Sequence, residues 1–380
     1  MSDPYQIVAS AEALAELIAR LRRETCIALD TEFVWERTYY VCLGLVQVGL
    51  ADGTCYLIDP IAIGDLTSLG PIIADTGITK ILHDAPQDLM ILRQATGASA
   101  HRVFDTRLAA GFAGLSAVIS LSNLVAELVN VHLPKEHTRT NWTKRPLAEA
   151  CLEYAADDVR YLPRIAQMLR DRCRESGVEA WLDEELATLD ASVLYEEKAP
   201  DEAYLRVKGA ASLPPRMLAA LRELAAWREG RARHANRPRR WIAEDPELVS
   251  VARALPHSRD ELQRCERLNP RLAERYGKYL LAAVRRSEAV PDSDLPSAVQ
   301  RANRIPSLKR QTDAILAYIR GCAEARKLDP QLVCNRDAIT ALLAAGESAR
   351  AEDHPILRGW RAELLGSALD PLLQAVPQRG

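Results

Sequence analysis

Between residues 26 and 106 the chain alternates short apolar, β-rich runs with polar breaks. CIALDTEF (26–33), YVCLGLVQVGL (40–50), TCYLIDP (54–60), ITKILHD (78–84) and HRVFDT (101–106) predict five strands. A helix is predicted from Ala85 to about Gln94, and helical patterning continues to about residue 190. Strands arriving first and helices later predict an α/β domain, a mixed sheet flanked by helices. After residue 200 the strand signals stop, and amphipathic stretches such as LPPRMLAALRELAAWREGRARHA (213–235) predict an all-helical second half. SEAVPDSDLPSAVQ (287–300) clusters Ser, Asp and Pro, breaker chemistry that divides this half into two small helical modules. Leu224, Ala225, Arg228, Pro238 and Asp245 recur 92 positions later as Leu316, Ala317, Arg320, Pro330 and Asp337, which supports a duplication. The expected domains are therefore 1–200, 205–290 and 298–380.

Composition narrows the class. Hydrophobic residues make up 48% of the 380 and charged residues 27%, the balance of a folded globular protein. The start lacks a basic segment followed by an apolar run, and no stretch reaches the length of a membrane span, so no membrane partner and a cytoplasmic address are expected. The eight cysteines are scattered, without Cys-x-x-Cys or a Cys/His grouping at zinc spacing, and read as fillers in a reducing compartment. The net charge of −3 hides an asymmetry: residues 1–200 carry 18 Lys+Arg against 29 Asp+Glu, and residues 201–380 carry 31 against 23. An acidic half suits cations and a basic half suits polyanions.

Candidate chemistry lies in the acidic half. Asp30 and Glu32 are two apart on a predicted strand, so both side chains share one face. Two carboxylates in an otherwise apolar strand are costly unless hydrated or paired, and a divalent cation would resolve that cost. A strand end emerging into solvent is the plainer explanation of this tripeptide alone. Tyr154 and Asp158, four apart on a predicted helix, stack on one face, whereas Asp157 is turned away by about 100°. Between them a strand runs into a helix carrying His83, Asp84 and Asp88, and a helix start tolerates Asp for capping reasons alone. Taken in order, these segments supply four carboxylates that could converge on two divalent ions.

Asp30-Thr-Glu32-Phe33, followed by Arg37-Thr-Tyr-Tyr40 and Leu43-Gly-Leu-Val-Gln47, resembles the first motif of the ribonuclease D family, within the exonuclease superfamily that carries four acidic residues and a tyrosine. His83–Leu92 resembles the second motif and Tyr154–Leu162 the third, while Arg139-Thr-Asn-Trp142-Thr-Lys-Arg145-Pro-Leu147 is similar to a stretch typical of ribonuclease D. The resemblance implies a ribonuclease H-like exonuclease domain, with Asp30, Glu32, Asp88 and Asp158 as ligands of two Mg²⁺ or Mn²⁺ ions and Tyr154 orienting the attacking water. A sister subgroup has histidine where this chain has Glu153, so the tyrosine type is implied. Trp35, Val41 and Asp84 depart from the pattern, where arginine, proline and a small or amide residue are expected. Asp84, four residues before Asp88, could compete for a cation.

The resemblance further implies 3′→5′ removal of nucleotides from RNA, trimming of tRNA precursors with 3′ extensions, and release of nucleoside 5′-monophosphates. The region from about 205 to 290 resembles the helical accessory domain shared with certain helicases, and the segment after 300 a divergent second copy. No Gly-x-x-x-x-Gly-Lys-Ser/Thr occurs, so ATP is not expected. Candidate substrate contacts are Phe33, Gln47, His83, Arg139, Trp142 and Arg145 near the acids, and Arg228, Arg231 and Arg237 in the arginine-rich run 226–240. Phe33 and Trp142 could stack on terminal bases, or could be core. Two other functions fit the same residues: a DNA-directed proofreading or repair exonuclease, and a non-catalytic RNA-binding protein with vestigial acids. Because every proposed ligand precedes residue 200, a fragment ending there is expected to keep activity on short RNA.

Overall fold

The computed structural model describes residues 5–134, 140–191, 195–196, 199–296, 306–345 and 354–374. They form two compact units, one of Met1–Val34, Leu43–Glu196 and Ala302–Gly380, the other of Trp35–Cys42 and Glu197–Arg301.

The first unit is built on a six-stranded mixed sheet in the order β1-β4-β3-β2-β5-β6. Its strands are β1 (Gln6–Val8), β2 (Cys26–Val34), β3 (Cys42–Gly49), β4 (Cys55–Ile58), β5 (Thr79–Leu82) and β6 (Val103–Asp105). β2, β5 and β6 run parallel, as do β1 and β4, whereas β3 opposes β4 with Gly49 across from Cys55. The five strands read from the sequence are all present. β1 is only three residues long and two of them are exposed, too little for a periodic signal.

Helix α1 (Ala11–Leu21) opens on Ser10, whose hydroxyl accepts from the Ala13 N–H, and buries Leu14, Leu17, Ile18 and Leu21. α2 (Pro86–Thr96) starts with proline, whose missing N–H costs nothing at a first turn, and ends on Gly97 in the left-handed region. α3 (Thr106–Phe112) follows β6 directly, and α4 (Glu149–Arg160), α5 (Leu162–Glu175) and α6 (Glu179–Ala187) complete the flanks. α4 packs on β2 and β4, α5 on β2 and β5, and α2 on β2, so three helices converge on the strand that carries Asp30 and Glu32.

The sequence divides the helical half into two like modules, but residues after 302 belong with the sheet. α11 (Pro306–Ala325), α12 (Arg336–Ala345) and α13 (Gly359–Leu365) share the sheet's hydrophobic core. Trp360 of α13 is fully buried, 5.0 Å from the ring of Phe112 and 6.1 Å from that of Trp181. Arg361 holds Glu185 at 2.7 and 2.9 Å, and Trp181 donates to Glu363 at 2.8 Å. An amphipathic pattern shows that a face must be buried and does not name its partner, which is why two like modules could be read from it.

The second unit is α7 (Pro215–Ala235), α8 (Arg239–Ile242), α9 (Asp245–Ala254) and α10 (Pro270–Glu288), together with the β2–β3 connection. Its core gathers Leu218, Leu221, Leu224, Val251, Leu280 and Val284. Tyr39 of the connection inserts its hydroxyl between Glu229, to which it donates, and Arg233 and Arg239, which donate to it at 3.0 and 3.2 Å. Asn236, in the left-handed region at the end of α7, accepts from the Tyr39 and Tyr40 N–H groups at 3.1 and 3.0 Å.

Candidate active site

β2 presents Asp30 and Glu32 on one face, and α4 lays Asp158 against them. Carboxylate oxygens of these three residues lie within 4.8 Å of one another. Asp88, in the first turn of α2, is buried and belongs to the same electrostatic cluster, because its charge acts on both Asp30 and Glu32. Burial first, then the charges of Asp88, Asp158 and Glu32, pushes the Asp30 carboxyl well above its usual range. Glu32 is pushed up to about 8, by burial and then by Asp158 and Asp88. Asp88 is pushed up to about 6, mainly by burial, with the Thr31 hydrogen bond working the other way. Such repulsion is what a divalent cation removes, and the donors are all oxygen, the set that hard divalent ions take. The residues present therefore fit the divalent-metal dependence that the exonuclease fold implies.

Two supporting residues escape sequence reading. Thr31 alternates away from Asp30 and Glu32 along β2, yet its hydroxyl donates to Asp88 Oδ1 and steers that carboxylate. Asp105, almost fully buried, accepts from four backbone N–H groups: Asp84 and Ala85 at 3.2 and 2.8 Å, and Arg107 and Leu108 at 2.8 and 3.3 Å. It thus caps α3 while fixing the turn that launches α2 and Asp88. An Asp just before a helix was a visible cap signal, but its second pair of donors comes from 20 positions away.

Asp84 has φ +67°, a left-handed conformation that Asp and Asn tolerate better than most residues, in keeping with the small or amide residue expected there. Its carboxylate pairs with Arg107.

The other sequence candidates divide sharply. Phe33 is half-buried and stands outside the core clusters. Gln47 is fully enclosed in β3, with neither side-chain polar atom hydrogen-bonded within the described residues. His83 is bound at both ring nitrogens, Nδ1 to Thr106 Oγ1 and Nε2 to the Ile119 carbonyl, each at 3.0 Å. Trp142 is buried rather than available to a base, its ring 6.3 Å from that of Tyr154. Gly44 permits this, since a Cβ there would stand 2.6 Å from Trp142. Arg145 spends its guanidinium inside the protein. It makes a two-pronged pair with Asp59 at 2.6 and 2.7 Å and donates to the carbonyls of Trp142 and Gly44 at 2.8 and 2.7 Å. Burial raises the Asp59 carboxyl, but the Arg145 hydrogen bonds and two backbone N–H groups more than offset it, leaving it below its usual range. Trp142 and Arg145 are thus engaged within the fold, Trp142 beside the Tyr154 ring and Arg145 tied to the Trp142 carbonyl. Arg139 lies outside the described residues.

In the helical unit the arginine run is partly consumed by its own structure. Arg228 is buried against Asp245 at 2.7 Å, and Arg231 lies over the Tyr276 ring. Arg233 and Arg239 serve Glu229 and Tyr39. Arg237 and Arg240 face solvent.

A family model described as 3′-5′ exonuclease matches residues 5–174, and one for the HRDC domain matches 217–284. The chain is 38% identical to ribonuclease D of Desulfotalea psychrophila over 94% of its own length and 96% of the relative's. It is 35% identical to ribonuclease D of Escherichia coli over 98% and 100%. The crystal structure of Escherichia coli RNase D, titled an exoribonuclease involved in structured RNA processing, superposes with a TM-score of 0.87 at 35% identity, covering 98% of this chain and all of that one. The catalytic core of RRP6 from Trypanosoma brucei, 23% identical with a TM-score of 0.57 over 76% of this chain, shares the fold. With an RNase H-like sheet, a cluster of acids gathered around strand β2 and full-length relatives of this kind, the chain belongs to the ribonuclease D family of hydrolytic 3′→5′ exoribonucleases.

Proposed function

We propose that this enzyme trims tRNA precursors with 3′ extensions, one nucleotide at a time, releasing nucleoside 5′-monophosphates. Asp30, Glu32, Asp88 and Asp158 hold two divalent ions, Mg²⁺ or Mn²⁺. The observation that carries this reading is the meeting of Asp30, Glu32 and Asp158 within 4.8 Å, with Asp88 in the same field. Divalent ions bound there supply acidification of water and stabilisation of charge on the departing 3′ oxygen. Tyr154, one helical turn before Asp158, orients the attacking water through its hydroxyl. Phe33, next to Glu32 and outside the core, stacks on the terminal base. Arg237, exposed at the end of the arginine run, meets RNA phosphate. A cytoplasmic setting is supported by eight unpaired cysteines, which suit a reducing compartment. Among the described residues no helix is long and apolar enough to cross a membrane.

Incubating the protein with 3′-extended tRNA, with and without Mg²⁺ or Mn²⁺, tests this on a sequencing gel. Metal-dependent shortening from the 3′ end in single-nucleotide steps is expected, and an intact extension would refute the assignment. Matched RNA and DNA oligonucleotides separate this reading, which expects RNA to be hydrolysed in preference, from a DNA-directed exonuclease, which would favour the DNA.

A further inference from the structure

In the helical unit, α8, the turn leading into α9 and the first turns of α10 enclose an open groove of about 720 Å³. Its rim carries Trp241, Arg240, Arg267, Arg271 and Arg275, and Tyr276 forms part of its wall. Trp241 is 52% exposed, although a tryptophan is usually mostly buried. Tyr276 is held firmly, edge-on to Trp227 at 5.3 Å and beneath the guanidinium groups of Arg231 and Arg275.

The charges of this groove differ in kind from those of the arginine run on α7. Arg228, Arg233 and Arg239 are each paired with a carboxylate. Among the described residues Arg240, Arg267, Arg271 and Arg275 have no such partner, and all four are exposed. Three acids also line the groove: Glu244, Glu247 and Glu266. Glu244 and Glu247 form a capping box at the start of α9, and Glu247 also accepts from the Asn269 N–H at 3.1 Å. Backbone donors thus already compensate two of the three negative charges. What remains is an exposed indole ringed by unpaired arginines, the combination that takes a base on its π-face and phosphates on its cations.

We propose that this groove is a single-stranded RNA subsite of the helical unit, with Trp241 stacking on a base and Arg267, Arg271 and Arg275 meeting neighbouring phosphates. It deepens the proposed function by naming where RNA upstream of the trimmed end is gripped, and it rests on RNA being the substrate.

The test measures binding of a labelled single-stranded RNA to full-length protein, without divalent cation so that the RNA stays intact, across a salt series. Trp241→Ala is expected to weaken binding about tenfold, the size of one lost base stack, and Trp241→Phe to restore most of it. Charge reversal of Arg271 and Arg275 should flatten the log–log salt dependence by about 1.4, roughly 0.7 for each lost phosphate contact on a single strand. With Mg²⁺ present, the ratio of kcat/KM on a long RNA to that on a trinucleotide should fall about tenfold in Trp241→Ala, because a lost stack costs affinity only to an RNA long enough to occupy the groove as well as the acidic site. Unchanged affinity and salt slope, or an equal fall on both RNAs, would overturn the subsite. Failure of the wild type to hydrolyse either RNA, with the Trp241→Ala binding loss intact, would sink the proposed function and leave the groove standing.

Discussion

At the scale of single residues, the carboxylates are held where their charges oppose one another. Glu32, ordinarily ionising near 4.5, is pushed up to about 8, and Asp88 from near 3.8 to about 6. The folded protein without metal therefore binds more protons than the unfolded chain between these values. Its stability falls as pH rises from near 4.5 towards 8, the opposite of the usual salt-bridged carboxylate. A melting series in chelator should show Tm dropping across this window, and added Mg²⁺ should recover more at its alkaline end, where protons no longer compete for the ligands. A Tm without pH dependence would contradict the clustering. Tyr154→Phe keeps the ring against Trp142 and removes only the hydroxyl, so RNA binding should persist while single-turnover cleavage slows by roughly 10²- to 10⁴-fold. An unchanged rate would assign the tyrosine to packing. Strand and helix periods put Asp30 with Glu32 and Tyr154 with Asp158 on shared faces, but it was the ordered resemblance to the exonuclease motifs that singled them out. Thr31 and Asp105 were not legible, since their meaning lies in partners 57 and 20 positions away that no local period reveals.

At the scale of elements, composition misleads where structure consumes charge. The run from Arg228 to Arg240 looks from sequence like a phosphate-binding face, yet Glu229, almost fully buried, and Tyr39 take up Arg233 and Arg239, and Asp245 takes Arg228. Arg239 is partly exposed, but its partner Glu229 is almost fully buried and without it would keep, among the described residues, only Arg233 and Tyr39. Arg239→Ala should therefore lower Tm more than it lowers RNA affinity. Arg237→Ala should do the reverse, leaving Tm in place and flattening the salt slope of RNA binding by about 0.7. Equal behaviour of the two variants in both assays would contradict this division. The stretch from Trp142 to Arg145 follows the same rule. Its arginine was legible as a candidate, but the partners that hold it, Gly44 in β3 and Asp59 just beyond β4, enter only through the fold.

At the scale of the molecule, five strands, the helix bearing Asp88 and the helical character of the second half could all be read along the chain, because each is a local pattern. The destination of the last helices could not. Trp360 completes the core around Phe112 and Trp181, so a fragment ending near residue 200 would expose the surface that α11 to α13 cover. Such a fragment is expected to aggregate or to melt well below the full chain, contrary to what the order of motifs alone suggests, and light scattering with thermal melting would show it. A soluble fragment with the Tm of the whole protein would contradict the shared core. The central claim is that the four clustered acids work as a metal-dependent site for RNA hydrolysis, and Asp30→Asn tests it most directly. This nearly isosteric change removes one charge from the middle of the cluster. Single-turnover hydrolysis of a 3′-extended RNA, followed over a Mg²⁺ titration beside the wild type, should show no turnover at any Mg²⁺ concentration, with the circular dichroism of the folded chain retained. Near-normal rates at saturating Mg²⁺ would contradict the account.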